Sequence, residues 1–211
     1  MTHTLQRAKL ARAAAVLNAR AGYAGLLPPL ILMTDDARLP DPLAAAALMP
    51  RGSLVIVRSR DSGRRRDLAR DMLKLAQRRH LLVSVADDPV LALSAGADGL
   101  HLPQARLAEA ADWRARSARL LITVAAHAPR DIAGAARARA DAALLSPVFA
   151  TGSHPGAPTL GPIRVRLMLR AALLPVYALG GIDDRNVMRL SGAPLAGLAA
   201  IGALRAEGPL R

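Results

Sequence analysis

The chain has 211 residues, of which 52% are hydrophobic, which is enough for one sizeable core and fits one domain better than two. It contains no cysteine, which excludes disulfides, thiolate metal sites and a cysteine nucleophile, and its 2% of aromatic residues argues against a module that stacks nucleobases. The net charge of +13 suits either nucleic acid or phosphorylated metabolites, although many of the arginines stand beside alanines, a pattern that compositional drift also explains.

The N-terminal segment is the first predicted element. Its sequence "MTHTLQRAKLARAAAVLNARAG" predicts a basic amphipathic helix over Leu5 to Asn18 rather than a secretory signal, because Arg7, Lys9 and Arg12 interrupt every apolar run. No apolar run approaches the roughly 18 residues that a membrane span needs, and no basic tail or zinc-finger pattern accompanies the positive charge. We therefore expect a cytoplasmic protein with no membrane partner, and we do not expect nucleic acid as a partner.

Eight apolar runs of strand length follow, each succeeded by turn residues and a longer segment rich in Ala, Leu and Arg. The predicted strands are Leu30 to Thr34, Leu54 to Ser59, Leu81 to Ala86, Gly99 to Leu102, Leu120 to Ala126, Ala143 to Val148, Pro175 to Gly181 and Ala196 to Gly202. The predicted helices are Asp41 to Met49, Arg64 to Arg79, Pro89 to Ala95, Leu107 to Ser117, Arg130 to Arg139, Pro162 to Leu173 and Arg185 to Leu190.

This alternation predicts an α/β fold, a compact (β/α)8 TIM barrel, because continuous apolar strands between helices are typical of parallel strands buried on both faces. We expect a single domain over residues 1–211, with residues 1–25 as an N-terminal helical extension. An open doubly wound sheet is the alternative, but it usually carries a glycine-rich fingerprint after the first strand. The sequence there is "MTDDARLPDP", which favours the barrel.

Catalytic residues of such a barrel lie at the C-terminal ends of its strands. Arg58 and Arg60 share one parity on the second strand and predict a phosphate site, although they also suit a solvated edge. Asp87 suits either a magnesium ion that bridges phosphate oxygens or a cap on the helix that starts at Pro89. His127, after the fifth strand, is either structural or functional. The other candidate residues at these ends are Thr34, Asp35, Asp36, Asp88, His101, Gln104, Gly180, Gly181, Ile201 and Gly202.

Two stretches late in the chain indicate phosphate binding. Gly180-Gly181 and the "AAIGAL" that contains Ile201 and Gly202 fit the loops after strands seven and eight, where barrels present backbone N–H groups to a phosphate. The segment from Ser146 to Pro162, "SPVFATGSHPGAPTLGP", adds hydroxyls, glycine and an imidazole. It is either a loop that closes over an anion or only a long connection.

Four segments of the chain resemble the thiamine phosphate synthases and the related thiazole tautomerases. They are "MTD" at Met33 to Asp35, "GADGLHLPQ" at Gly96 to Gln104, "SPVFATGSHPGAPTLG" and "PVYALGGI" at Pro175 to Ile182, and they occur in order over nearly the whole barrel. The resemblance implies a transferase in which a hydroxymethylpyrimidine diphosphate loses pyrophosphate with help from Mg2+. The nitrogen of a thiazole phosphate then captures the pyrimidine carbocation, so the protein acts by electrostatics and positioning.

The resemblance also implies roles for particular residues of this chain. For catalysis and the diphosphate they are Arg58, Arg60, His127, Thr151, Ser153 and His154, with His127 at the position that tautomerases use for proton transfer. The magnesium position is Asp87, and the positions for the pyrimidine and the thiazole phosphate are His101, Gln104, Gly181, Ile201 and Gly202.

Five positions depart from the pattern of this family. Arg106 replaces a second magnesium aspartate and His154 replaces a loop lysine. Ile56 replaces a pyrimidine-side glutamine, Ala86 the asparagine before the metal aspartate and Ala125 a serine of the fifth strand. We expect metal affinity to fall at Arg106 unless Asp88 or Asp36 compensates.

Three hypotheses follow. The first is a synthase-like transferase that acts on small phosphorylated substrates. The second is a tautomerase-like isomerase or a non-catalytic binder of thiazole phosphate, and the third is a basic nucleic-acid-binding protein. A homo-oligomer is compatible with each of them.

Overall fold

Eight parallel strands close into a barrel in the computed structural model, which describes residues 3–151, 156 and 158–206. The strands follow chain order around the ring, and β8 pairs with β1 to close it. Their bounds are β1 Leu30–Met33, β2 Leu54–Val57, β3 Leu82–Ala86, β4 Gly99–Leu102, β5 Leu121–Ala126, β6 Ala142–Leu145, β7 Val176–Leu179 and β8 Gly197–Ala200. The predicted (β/α)8 barrel and its eight strands are confirmed, with most strands shorter because the end residues of the predicted runs lie in the loops.

The helices surround this barrel. They are α1 His3–Arg20, α2 Pro42–Ala47, α3 Ser62–Arg79, α4 Pro89–Ser94, α5 Ala110–Arg116, α6 Pro129–Arg137 and α7 Gly161–Leu169, with 3₁₀ helices at Gln104–Glu109, Val187–Leu190 and Gly202–Leu204. Within the part of the chain that the structure describes, no helix has both the length and the apolar character to cross a membrane.

One predicted helix is a 3₁₀ helix instead. The sequence predicts an α-helix from Arg185 to Leu190, but the carboxylate of Asp183 accepts hydrogen bonds from the backbone N–H groups of Arg185 and Asn186. Such local side-chain bonds compete with the helical pattern of the backbone. The helix is therefore reduced to Val187–Leu190.

Helix α1 packs against β8, β1 and the 3₁₀ helix Gly202–Leu204. Its buried residues Leu10, Ala14 and Leu17 form a stripe at helical spacing. The buried side chain of Asn18 fixes its end, because Nδ2 donates to the carbonyl oxygens of Ala196 (2.6 Å) and Leu27 (3.2 Å). The predicted extra helix thus covers the β8–β1 side of the barrel.

The interior of the barrel is mostly aliphatic. Ile31, Leu54, Ile56, Leu144 and Ala199 belong to one buried cluster inside the strands, together with Tyr177, whose hydroxyl donates to the carbonyl of Pro28 (2.8 Å). The outer faces of the strands pack against the helices in a second, larger cluster. A filled interior leaves the strand ends as the place for a binding site.

Candidate active site

A cavity of about 820 Å³ opens at the C-terminal ends of the strands. Of the residues to which the family resemblance assigns a role, six line it: Arg58, His127, Thr151, Gly181, Ile201 and Gly202. Four others lie outside this lining, namely Arg60, Asp87, His101 and Gln104. Ser153 and His154 lie outside the described residues, so their predicted roles stay predictions.

The glycine pair after β7 joins two loops of the cavity wall. Gly180 and Gly181 have φ angles of +97° and +67°, a region that favours glycine. The carbonyl of Gly180 accepts from the backbone N–H of Phe149 (3.0 Å), and that of Leu179 accepts from Val148 (3.0 Å). A Cβ on Gly181 would lie 2.3 Å from the carbonyl oxygen of Ala150. Glycine is therefore required here for the β7 loop to lie against the β6 loop.

The segment after β8 forms another part of the cavity wall and is more open. Gly202 starts the 3₁₀ helix Gly202–Leu204, and a Cβ on it would meet no heavy atom within 4 Å. Ile201, Gly202 and Ala203 all face the same cavity as Gly181. The two predicted halves of the phosphate cradle therefore share one cavity.

The two arginines after β2 have different surroundings. Nη1 of Arg58 donates to Oδ2 of Asp35 (2.9 Å), and this guanidinium lines the cavity. A hydrogen bond from Arg38 is the main cause that holds the pKa of Asp35 well below its usual range, against the opposing effect of burial. Arg60 is exposed, and its backbone N–H donates to Asp36 (3.1 Å). Of these two arginines, Arg58 lines the cavity and Arg60 does not.

His101 is buried inside the barrel. Its Nδ1 lies 2.9 Å from Oγ1 of Thr123. Burial lowers the pKa of His101 to about 4, with a further contribution from the charge of Arg58. His101 is thus a neutral core residue at neutral pH.

Gln104 supports the start of α6. Its Nε2 donates to Oδ1 of Asp131 (3.1 Å), while the other carboxylate oxygen accepts from the backbone N–H groups of His127 (2.8 Å) and Ala128 (2.9 Å). Burial raises the pKa of Asp131, but these hydrogen bonds outweigh it and keep the pKa below its ordinary value. Gln104 therefore acts on the cavity through the backbone of His127.

The ring of His127 has a defined tautomer. Nδ1 lies 2.9 Å from the carbonyl oxygen of Ser146, which can only accept, so Nδ1 carries the hydrogen in the neutral ring. The other ring nitrogen, Nε2, is then free of hydrogen and can accept a proton, and the His127 side chain lines the cavity. Oγ of Ser146 lies 3.5 Å from the same Nδ1. This arrangement can take a proton from a bound molecule.

Asp87 does not fit a magnesium ligand in this structure. Its Oδ1 lies 2.5 Å from Nη1 of Arg106, and Arg106 also donates through Nε and Nη2 to the two carboxylate oxygens of Glu109 (2.7 Å each). Glu109, and then Asp87, raises the pKa of Arg106 above its ordinary value, so the guanidinium is permanently charged. The carboxylate that the sequence predicts for Mg2+ already has a cation.

The other two candidate carboxylates, Asp88 and Asp36, are also engaged. Asp88, rather than Asp87, caps α4 by accepting from the N–H of Leu91 (3.0 Å), and it pairs with Arg65 (3.1 Å). Asp36 accepts from Oγ of Ser59 (3.0 Å) and pairs with Arg64 (3.4 Å). Among the described residues, no three His, Cys, Asp or Glu side chains form a group that could hold a metal ion.

Several cavity residues were missed by the sequence analysis. Gln6 reaches the lining from α1, and Arg38, Asp183 and Arg205 reach it from loops. The spacing of Arg38 three residues after Asp35 is a signal for an ion pair, which the structure contains (2.8 Å). Gln6 and Arg205 gave no such signal, because their place depends on the packing of α1.

A family model described as thiamine monophosphate synthase matches residues 30–204. The chain belongs to this family. The thiamine-phosphate synthase of Alcanivorax borkumensis is 32% identical over 184 residues, which cover 83% of this chain and 84% of the relative. That of Chlorobium luteolum is 30% identical over 186 residues, covering 86% of this chain and 88% of the relative. The fold is similar to that of a thiamine phosphate pyrophosphorylase from Pyrococcus furiosus, with a TM-score of 0.69 and 22% identity over 84% of this chain and 88% of that one.

Proposed function

We propose that this chain is a thiamine phosphate synthase-like transferase, which joins hydroxymethylpyrimidine diphosphate to thiazole phosphate. The observation that carries the proposal is the single cavity that brings Arg58 together with Gly181, Ile201 and Gly202, in a chain of this family. A guanidinium and two glycine-containing loops in one cavity suit a substrate pair that carries two phosphorylated groups.

In this reaction the C–O bond of the pyrimidine diphosphate breaks, and its electron pair leaves with pyrophosphate. The thiazole nitrogen then donates its lone pair to the pyrimidine methylene carbon. Arg58, oriented by Asp35, donates hydrogen bonds to the leaving diphosphate, and the segment from Ile201 to Ala203 holds the thiazole phosphate. No step is assigned to a metal ion, because the predicted ligand Asp87 is paired with Arg106.

A coupling assay tests this proposal. Purified protein receives both substrates, and thiamine phosphate and pyrophosphate are followed together, with each substrate omitted in turn as a control. We expect the two products in equal amounts, and a loss of rate in Arg58→Ala. Binding of thiazole phosphate without any product would reject the transferase and leave a binder.

His127 favours a second candidate, a tautomerase-like isomerase. Its Nδ1–H is held by the carbonyl of Ser146, which leaves Nε2 as a base at the cavity. Conversion of a thiazole carboxylate phosphate alone, abolished in His127→Asn, would support this candidate over the transferase.

We propose small phosphorylated molecules as the partners of the chain. The net charge of +13 supports this, because positive potential attracts anions to a cleft. The predicted cytoplasmic location, the single domain and a homo-oligomer remain part of the proposal. Nucleic acid is the least supported partner, since the aromatic residues that stack bases make up only 2% of the chain.

A further inference from the structure

Five carboxylates at the mouth of the barrel, which follow β1, β3 and β4, are paired with arginines. This holds for every Asp and Glu that the structure describes directly after β1 and β3 and in the 3₁₀ helix after β4. The pairs are Asp35 with Arg38 and Arg58, Asp36 with Arg64, Asp87 with Arg106, Asp88 with Arg65 and Glu109 with Arg106. Each of these five carboxylates therefore has a cationic partner within the protein itself.

Arg106 is the most completely engaged of these cations. Nη1 donates to both the carboxylate and the backbone carbonyl of Asp87 (2.5 and 3.2 Å), and the fork of Nε and Nη2 is bidentate with Glu109. Bidentate pairs of this kind are among the stronger and more rigid ion pairs in proteins. The guanidinium is therefore a fixed charge, held from both sides.

A divalent cation at Asp87 would share one carboxylate with this guanidinium. Mg2+ needs carboxylate oxygens in near-octahedral geometry, usually from one or two carboxylates. Binding at Asp87 would place the ion within a few ångströms of the Arg106 charge, where like charges repel. Neither Asp88 nor Asp36 offers a carboxylate that is free of its own arginine.

We propose that Arg106 is a resident counter-cation that closes Asp87 to divalent metal ions, so that this chain acts on its phosphorylated substrates without a bound Mg2+. Its first half, the closure of Asp87 to metal ions, is independent of the proposed function. Its second half, the reaction without bound Mg2+, rests on the proposed function. In that half, the electron pair of the broken C–O bond leaves with pyrophosphate, and guanidinium groups such as Arg58 neutralise the developing charge.

The first half is tested by metal binding alone. Free Mn2+ is measured by electron paramagnetic resonance in titrations of wild type, Asp87→Asn, Arg106→Asp and the double variant Arg106→Asp/Asp87→Asn. We expect wild type and Asp87→Asn to bind equally weakly. We expect Arg106→Asp to bind Mn2+ roughly tenfold more tightly or better, since carboxylate number sets affinity, and the double variant to lose this gain.

Two controls keep this result interpretable. Arg51→Asp makes the same change of charge at an exposed position before β2, at the opposite end of the barrel, and should leave Mn2+ binding at the wild-type level. Arg106→Ala is the second variant if Arg106→Asp does not fold, as judged by circular dichroism, and should also bind Mn2+ more tightly than wild type. Wild-type binding that Asp87→Asn weakens would overturn the proposal, as would no gain on removal of Arg106.

The second half is tested by the coupling assay in EDTA and in Mg2+. Thiamine phosphate formed at comparable rates in both supports the proposal. Product that forms only with Mg2+ overturns it, while the transferase function stands. If neither condition gives product, the transferase function fails, and the closure of Asp87 is decided by the Mn2+ titrations.

Discussion

A single methyl group at Gly181 tests the packing between the loops after β6 and β7. In Gly181→Ala the new Cβ would lie 2.3 Å from the carbonyl oxygen of Ala150 and 2.6 Å from that of Phe149, on a residue with a φ of +67°. The left-handed backbone costs an alanine roughly 1–2 kcal/mol, and overpacking against backbone adds about 1–3 kcal/mol. We expect the free energy of unfolding to fall by about 3 kcal/mol.

Thermal unfolding followed by circular dichroism measures this effect. For a chain of this size, about 3 kcal/mol corresponds to a decrease in Tm of roughly 6–12 °C. Gly202→Ala is the matched control in the same cavity, because its Cβ would meet no heavy atom within 4 Å and its φ is not in the left-handed region. Its Tm should stay within about 2 °C of wild type.

Gly181→Ala also reports on the cavity. Relief of the clash in Gly181→Ala has to move the β6 loop, which carries Thr151. We therefore expect inorganic phosphate to raise the Tm of wild type more than that of Gly181→Ala. Equal Tm values for Gly181→Ala and Gly202→Ala without phosphate would refute the described contact between the loops.

Three further predictions concern buried charge and anion binding. His101 has a pKa of about 4 in the fold and takes a proton near pH 6.5 when the chain is unfolded. The free energy of unfolding of wild type should therefore fall by up to about 3 kcal/mol relative to that of His101→Gln between pH 6.5 and pH 4, as measured by urea unfolding. Asp131→Ala should lower the free energy of unfolding by about 2 kcal/mol, since three donors lose their acceptor, whereas Gln104→Ala removes one donor and should cost about 1 kcal/mol in the same assay. Arg58→Ala should weaken pyrophosphate binding in calorimetric titrations roughly tenfold or more. Arg60→Ala should weaken it less, because Arg58 lines the cavity and Arg60 does not. Equal losses of affinity would show that both guanidiniums contact the anion.

The strands were predictable because their burial is reflected directly in composition. Runs such as Leu54 to Val57 are apolar at every residue, and all four residues are buried in the barrel. The helix between β7 and β8 was predicted less well, since the side-chain hydrogen bonds of Asp183 decide its form. The position of α1 could not be predicted at all, because periodicity identifies an apolar stripe but not the surface that covers it.

The site was predictable where a residue follows its own strand into the cavity, as Arg58, His127 and Gly181 do. It was not predictable where two distant residues meet. Asp87 and Arg106 are 19 positions apart and follow different strands, so their ion pair depends on the register of β3 and β4. An isolated aspartate at a strand end indicates a metal ligand only until its partner is known.

The position of α1 has a consequence for the order of folding. The helix precedes β1 in the chain, yet residues that hold it lie next to β8 or beyond it: Asn18 bonds Ala196 across 178 positions, and Arg7 donates to the carbonyl of Arg205 across 198. Contacts of such long range are slow to form, because closing the intervening loop costs entropy before any contact is made. During synthesis α1 and the edge of β1 therefore stay uncovered until β8 has emerged from the ribosome. In that interval the nascent chain exposes the surfaces that chaperones bind.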